Sequence, residues 1–205
     1  MPNAPILIGV TGGIGAGKST VVEAFARRGA VPFSADTAVH ELYARPAVVA
    51  AVRERWGDDM VAADGTIDRS AIASIVFVDP EQRRWLEGLL HPLVGEAWLS
   101  FVAAQNALAH PPEFAVAEVP LLFEAGLEDR YDAIVTITAP LPTRIERAEA
   151  RGSGRTLSAE RAAAQMPEAE KAERADYSYV NTGSVDDLDA FAGRVLDELR
   201  AARVP

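Results

Sequence analysis

The run Gly12-Gly13-Ile14-Gly15-Ala16-Gly17-Lys18-Ser19-Thr20 has the spacing G-x-x-x-x-G-K-[ST] that wraps a nucleotide's phosphates. Small residues let the backbone N–H groups of Gly13, Ile14, Gly15, Ala16 and Gly17 converge on anionic oxygens. The positive end of the helix that follows adds to that field. Lys18 can reach the β- and γ-phosphates, the Ser19 hydroxyl can ligate Mg²⁺, and Thr20 continues into the helix. ATP and Mg²⁺ are therefore the expected ligands.

Asp36 is the second chemical group. The helix after Lys18 covers about ten residues, roughly 15 Å, before Arg28-Gly29. A returning strand of about six residues, roughly 20 Å, brings Asp36 to the sheet edge that carries the glycine loop. A carboxylate there could orient a hydroxyl for in-line attack on a γ-phosphate and accept its proton. It could equally cap the helix that opens at Thr37-Ala38. Arg144, Arg147 and Arg151 share one helix face, with Arg155 and Arg161 nearby. They could supply mobile positive charge over developing oxyanions, or form a solvated face paired with Glu146, Glu149 and Glu160. Glu118 could hold Mg²⁺ through water, the lysine, or backbone. His91, among Leu89, Leu90 and Leu93, reads as a hydrogen-bonded core residue, and His40 and His110 have no metal-site spacing.

These groups need a scaffold that meets at one edge. Ile6–Val10, Ala30–Phe33, Phe114–Val119, Ile134–Ile137 and a weak Tyr179-Val180 read as buried parallel strands, with helical patterns between them. The result is an α/β core. Residues 37–111 carry no strong strand signal and read as an inserted helical lobe, with Asp79-Pro80 opening a helix that Pro92 kinks or breaks. Residues 144–174 read as two short helices around the Gly152-Ser153-Gly154 tip. Leu188, Phe191, Val195 and Leu199 form the stripe of a closing helix with Asp186 as its cap.

The 205 residues carry a formal net charge of −10, which repels nucleic acid and anionic membranes. An anionic substrate would then need a local cluster of Arg or Lys. The absence of cysteine excludes disulfides and thiol catalysis. No apolar run approaches about 18 residues and no leader pattern opens the chain. A cytoplasmic location, no nucleic-acid or membrane partner, and a monomer or weak homo-oligomer are expected. A GTP-hydrolysing switch is disfavoured because Asn-Lys-x-Asp and Asp-x-x-Gly are missing.

Beyond the phosphate loop, the chain contains Ala35-Asp36 with His40, Asp64-Gly65-Thr66-Ile67-Asp68-Arg69, Leu86-Glu87 with His91-Pro92, and Val119-Pro120-Leu121-Leu122-Phe123-Glu124-Ala125-Gly126-Leu127. Gln165, Ala175-Asp176 and Asn181-Thr182-Gly183 follow. In this order and over nearly the full length, the set resembles the dephospho-coenzyme A kinase family. The resemblance implies a core of residues 1–36, 112–143 and 175–205, a substrate lobe at 37–111 and a lid at 144–174, as in nucleoside-monophosphate kinases. It implies transfer of the ATP γ-phosphate to the ribose 3′-hydroxyl of dephospho-coenzyme A. Asp36 matches the family's catalytic carboxylate, Arg151 the lid arginine on the ATP phosphates, and Asn181 the segment beside the adenine. Three positions depart from the pattern: Ser34 where Asp is common, Gly95 where Arg is usual, and Arg144 where Gln is frequent. A kinase of another hydroxyl acceptor and a non-catalytic nucleotide-binding module are the competing readings.

Overall fold

A computed structural model describes residues 4–62, 64–150 and 165–203. The chain forms two compact units, one from Met1–Phe33 with Ala104–Pro205 and one from Ser34–Ala103.

The first unit is built on five parallel strands: β1 (Ile6–Thr11), β2 (Val31–Phe33), β3 (Phe114–Glu118), β4 (Ala133–Thr138) and β5 (Tyr177–Val180). Their order is β2-β3-β1-β4-β5. Ile8, Val10, Val116, Val135 and Ile137 are fully buried, as expected for parallel strands covered on both faces. One face packs on α1 (Lys18–Arg27) and α8 (Val185–Arg203) through Val21, Phe25, Leu188, Phe191 and Val195. On the other, Leu122, Phe123 and Ile134 pack with Tyr131 and Met166. The arrangement is therefore α/β in three layers. In register, Gly9 of β1 and Phe33 of β2 both pair with Ala117 of β3, so β1 and β2 end at the same edge.

Two sequence expectations about helix starts and interiors change. The closing helix is capped by Ser184 rather than Asp186. Ser184 Oγ accepts from the Asp187 amide while Asp187 Oδ2 accepts from the Ser184 amide, a reciprocal box that two residues at this spacing make possible. Pro92 does not break its helix, because α5 runs continuously from Pro80 to Asn106. A proline inside a helix costs about 3 kcal/mol. Here Leu86 and Leu90 before it and Trp98 after it are all buried, which offsets that cost.

The second unit holds α2 (Ala35–Leu42), α3 (Pro46–Trp56), α4 (Arg69–Val78) and most of α5. Its core comprises Leu42, Val48, Val52, Ile72 and Leu86, each at most 7% exposed. The Asp64–Arg69 motif is structural here. Asp64 Oδ1 accepts from the Thr66 amide and hydroxyl, and Asp68 caps α4 through the Ser70 and Ala71 amides. His91 is exposed rather than a core residue. No helix among the described residues is long and apolar enough to cross a membrane.

Candidate active site

The glycine loop leaves the carboxyl end of β1 and enters α1 at Lys18. Gly17 stands at the helix cap with φ +107°, and a Cβ there would strike the Asn181 amide nitrogen. Only glycine satisfies both conditions. Lys18 is buried, its Nζ donating to the Gly13 carbonyl at 3.1 Å and lying 3.7 Å from Glu118 Oε1. Burial pulls its pKa down from 10.5, and Glu118 opposes part of that shift. Of the three roles open for Glu118, this geometry favours the lysine. The Ser19 hydroxyl is exposed and makes no hydrogen bond among the described residues. No trio of His, Asp or Glu suited to a metal cage occurs among the described residues. Mg²⁺ does not need one: it keeps its waters and takes one or two protein oxygens beside substrate phosphates. The free Ser19 hydroxyl fits that pattern.

Asp36 lies in the first turn of α2 and is exposed. It does not cap the helix. Ser34 is the cap, its Oγ accepting from the Thr37 amide at 3.1 Å. Serine and aspartate cap helices about equally well, which accounts for Ser34 where the family commonly has Asp. The Asp36 carboxylate has no hydrogen-bond or ion-pair partner among the described residues. It follows the last residue of β2 by three positions, a span of at most about 11 Å.

Two arginines of the predicted face, Arg144 and Arg147, donate to backbone carbonyls. Arg144 is buried, donating from Nε to the Ala139 carbonyl at 3.0 Å and lying 3.4 Å from Glu168 Oε2. Arg147 donates to the Asn181 carbonyl at 3.4 Å. Arg151, Arg155 and Arg161 lie outside the described residues. The Asn181 side chain turns onto the loop, Nδ2 donating to the Ala16 carbonyl at 2.8 Å. It also lines a cleft of about 150 Å³ with Gly17, Thr20, Arg147, Gly183 and Val185.

The family model for dephospho-CoA kinase matches residues 6–187. The chain belongs to the dephospho-CoA kinase family. That family comprises phosphotransferases with an alcohol acceptor that perform the final step of coenzyme A biosynthesis. Dephospho-CoA kinases of Thiobacillus denitrificans and Anaeromyxobacter dehalogenans are 42% and 39% identical to the chain. The first match covers 97% of this chain and 98% of the relative, the second 96% and 93%. A crystal structure from Thermus thermophilus is similar at TM-score 0.68 and 34% identity, over 99% of this chain and 100% of that one. A dephospho-CoA kinase from Campylobacter jejuni shares the fold at TM-score 0.66 and 22% identity, over 96% and 98%.

Sequence reasoning missed a set of charged groups packed against the phosphate loop and the Pro120–Glu124 motif. Helix α7 (Glu168–Arg174) sends two charged side chains inward. Glu168 touches the phosphate loop at Gly13. Lys171, fully buried, donates to Glu124 Oε1 at 2.7 Å and to the Pro120 carbonyl at 2.9 Å. Pro120 is also the acceptor for Thr11 Oγ1 at 3.3 Å. The Pro120–Glu124 motif is thus fastened between β1 and α7. The available signal was the spacing of Glu168 and Lys171, three apart on one helix face.

Proposed function

We propose that this chain transfers the γ-phosphate of ATP to the ribose 3′-hydroxyl of dephospho-CoA, with Asp36 as the group that orients the hydroxyl. The observation that carries this reading is the uncommitted Asp36 carboxylate. Ser34 does the capping, and Asp36 follows the last residue of β2 by three positions. While the Gly13 amide is taken by Glu168, the loop amides of Ile14–Ser19 and the Lys18 ammonium hold the β- and γ-phosphates. Those oxygens are stronger acceptors for Lys18 than the Gly13 carbonyl. Ser19 would hold Mg²⁺, and the ion would neutralise charge on the phosphates.

The acceptor oxygen attacks the γ-phosphorus in line as the bond to the β-bridging oxygen breaks, and ADP leaves. A carboxylate is too weak a base to remove a sugar proton beforehand. Asp36 holds the hydroxyl and takes the proton late, once the new O–P bond is advanced, then releases it to solvent. Arg151, which lies outside the described residues, would cover the transferring group and help exclude water. The purine lies in the cleft lined by Gly17, Thr20 and Gly183, with Asn181 steadying the loop beside it. The enzyme acts in the cytoplasm as a monomer or weak homo-oligomer.

The test is an ADP-release assay across acceptors: dephospho-CoA, adenosine, AMP, shikimate and gluconate, with and without Mg²⁺. Turnover with dephospho-CoA well above the rest, and dependent on Mg²⁺, is expected. Equal or greater turnover with another acceptor would replace the assignment.

A further inference from the structure

We infer that Glu168 is a positioning residue for the phosphate loop, acting through the Gly13 peptide. Its Oε1 accepts from the Gly13 amide at 3.0 Å and its Oε2 from the Ala139 amide at 3.1 Å. Its side chain is only 16% exposed. On the other side of the same residue, the Gly13 carbonyl accepts from Lys18 Nζ at 3.1 Å and from the Ala16 amide at 3.2 Å. Glu168 therefore fixes one end of Gly13, and Lys18 reads the position of the other. The fit is close. A Cβ on Gly13 would collide with the Glu168 carboxylate and the Arg144 guanidinium.

Electrostatics alone argues against a carboxylate in this place. A negative charge beside a loop that binds a polyanion weakens the anion's binding. Arg144, held by the Ala139 carbonyl, neutralises part of that charge. What remains to explain the carboxylate is geometry. Two acceptor oxygens on one rigid group join the β1 loop to the turn between β4 and α6 (Leu141–Ala150), which a neutral side chain with one acceptor cannot do.

The inference rests on the loop's role as the ATP holder, so ATP binding is measured first on the unaltered enzyme by calorimetric titration. Absence of binding there would sink the ATP reading itself. Glu168→Gln and Glu168→Asp are then compared with it. Glutamine offers one acceptor and turns an NH₂ toward the other amide donor. Aspartate keeps the charge but is one methylene short. Both are expected to keep a cooperative melt and to weaken ATP binding about ten-fold, the scale of one lost charge-assisted hydrogen bond. The KM for ATP should rise with the Kd, while the KM for dephospho-CoA stays within about two-fold. If Glu168 were a bystander, Glu168→Gln would bind ATP as tightly or more tightly, because a repelling charge has gone. That result overturns the inference, as does loss of the cooperative melt in both variants, which would make Glu168 a residue of folding only.

Discussion

Lys18 sits where burial works against its own charge. Its pKa is pulled below 10.5 by desolvation, with Glu118 opposing only part of the shift. A free-enzyme group governs kcat/KM and a complexed one governs kcat. The profile of kcat/KM for ATP should therefore fall on the alkaline side below pH 10.5. The kcat limb should lie higher, because bound phosphates favour the ammonium. The linkage of Lys18 itself does not destabilise the fold over this range. Between the lowered folded pKa and 10.5 the unfolded chain binds more protons at this site, so this group's contribution to stability rises with pH. Steady-state kinetics with a parallel melting series checks both signs, and coincident limbs for kcat/KM and kcat would remove Lys18 from nucleotide binding. At this scale the sequence was most legible where chemistry is local. The glycine spacing, Lys18 and Ser19 lie within one loop. Glu168 touches Gly13 across 155 residues of chain, and no local pattern encodes that.

Among the elements, α7 does more than its length suggests. Seven residues place Glu168 on the phosphate loop and Lys171 on the Pro120–Glu124 turn. Arg174 extends the contact to Glu128 and the Phe123 ring. The family resemblance implied a lid over this stretch; in the structure Lys171 is fully buried and Glu168 half-buried. Removing one partner of a buried pair leaves the other uncompensated, at about 3–5 kcal/mol when both are enclosed. Glu124 is 22% exposed, so Lys171→Met should fall near the lower end, about 3 kcal/mol. Adding Glu124→Gln should cost less than the sum of the single changes, by about 1 kcal/mol or more. Denaturant melts of the four proteins test this, and strict additivity would mean that the pair does not act as one unit. Burial alone would raise the Glu124 pKa, but hydrogen bonds from Lys171 and the Met166 amide outweigh it and bring the pKa below 4.5. The associated stabilisation is present above the ordinary carboxylate value and is lost as pH falls through the lowered one. The acid limb of stability should therefore be shallower in Lys171→Met.

Over the whole molecule, five short apolar runs were enough to anticipate the parallel sheet, since strands buried on both faces are apolar throughout. Strand ends moved by a residue or two, and β5 proved to be Tyr177–Val180, because its alternating exposure at the sheet edge weakens the apolar signal. The helical unit, Ser34–Ala103, overlaps the stretch without strand signal read at 37–111. Pairs far apart in sequence, such as Lys171 with Glu124, stayed hidden because only packing brings them together. In the proposed reaction Lys18 holds the phosphates and Asp36 orients the acceptor hydroxyl. Asp36→Asn tests that division of labour most directly. With dephospho-CoA as acceptor, kcat should fall about 10³-fold while the Kd for ATP stays within about two-fold of the unaltered enzyme. Turnover within a few-fold of the unaltered enzyme would contradict the mechanism and take the acceptor-orienting role away from Asp36.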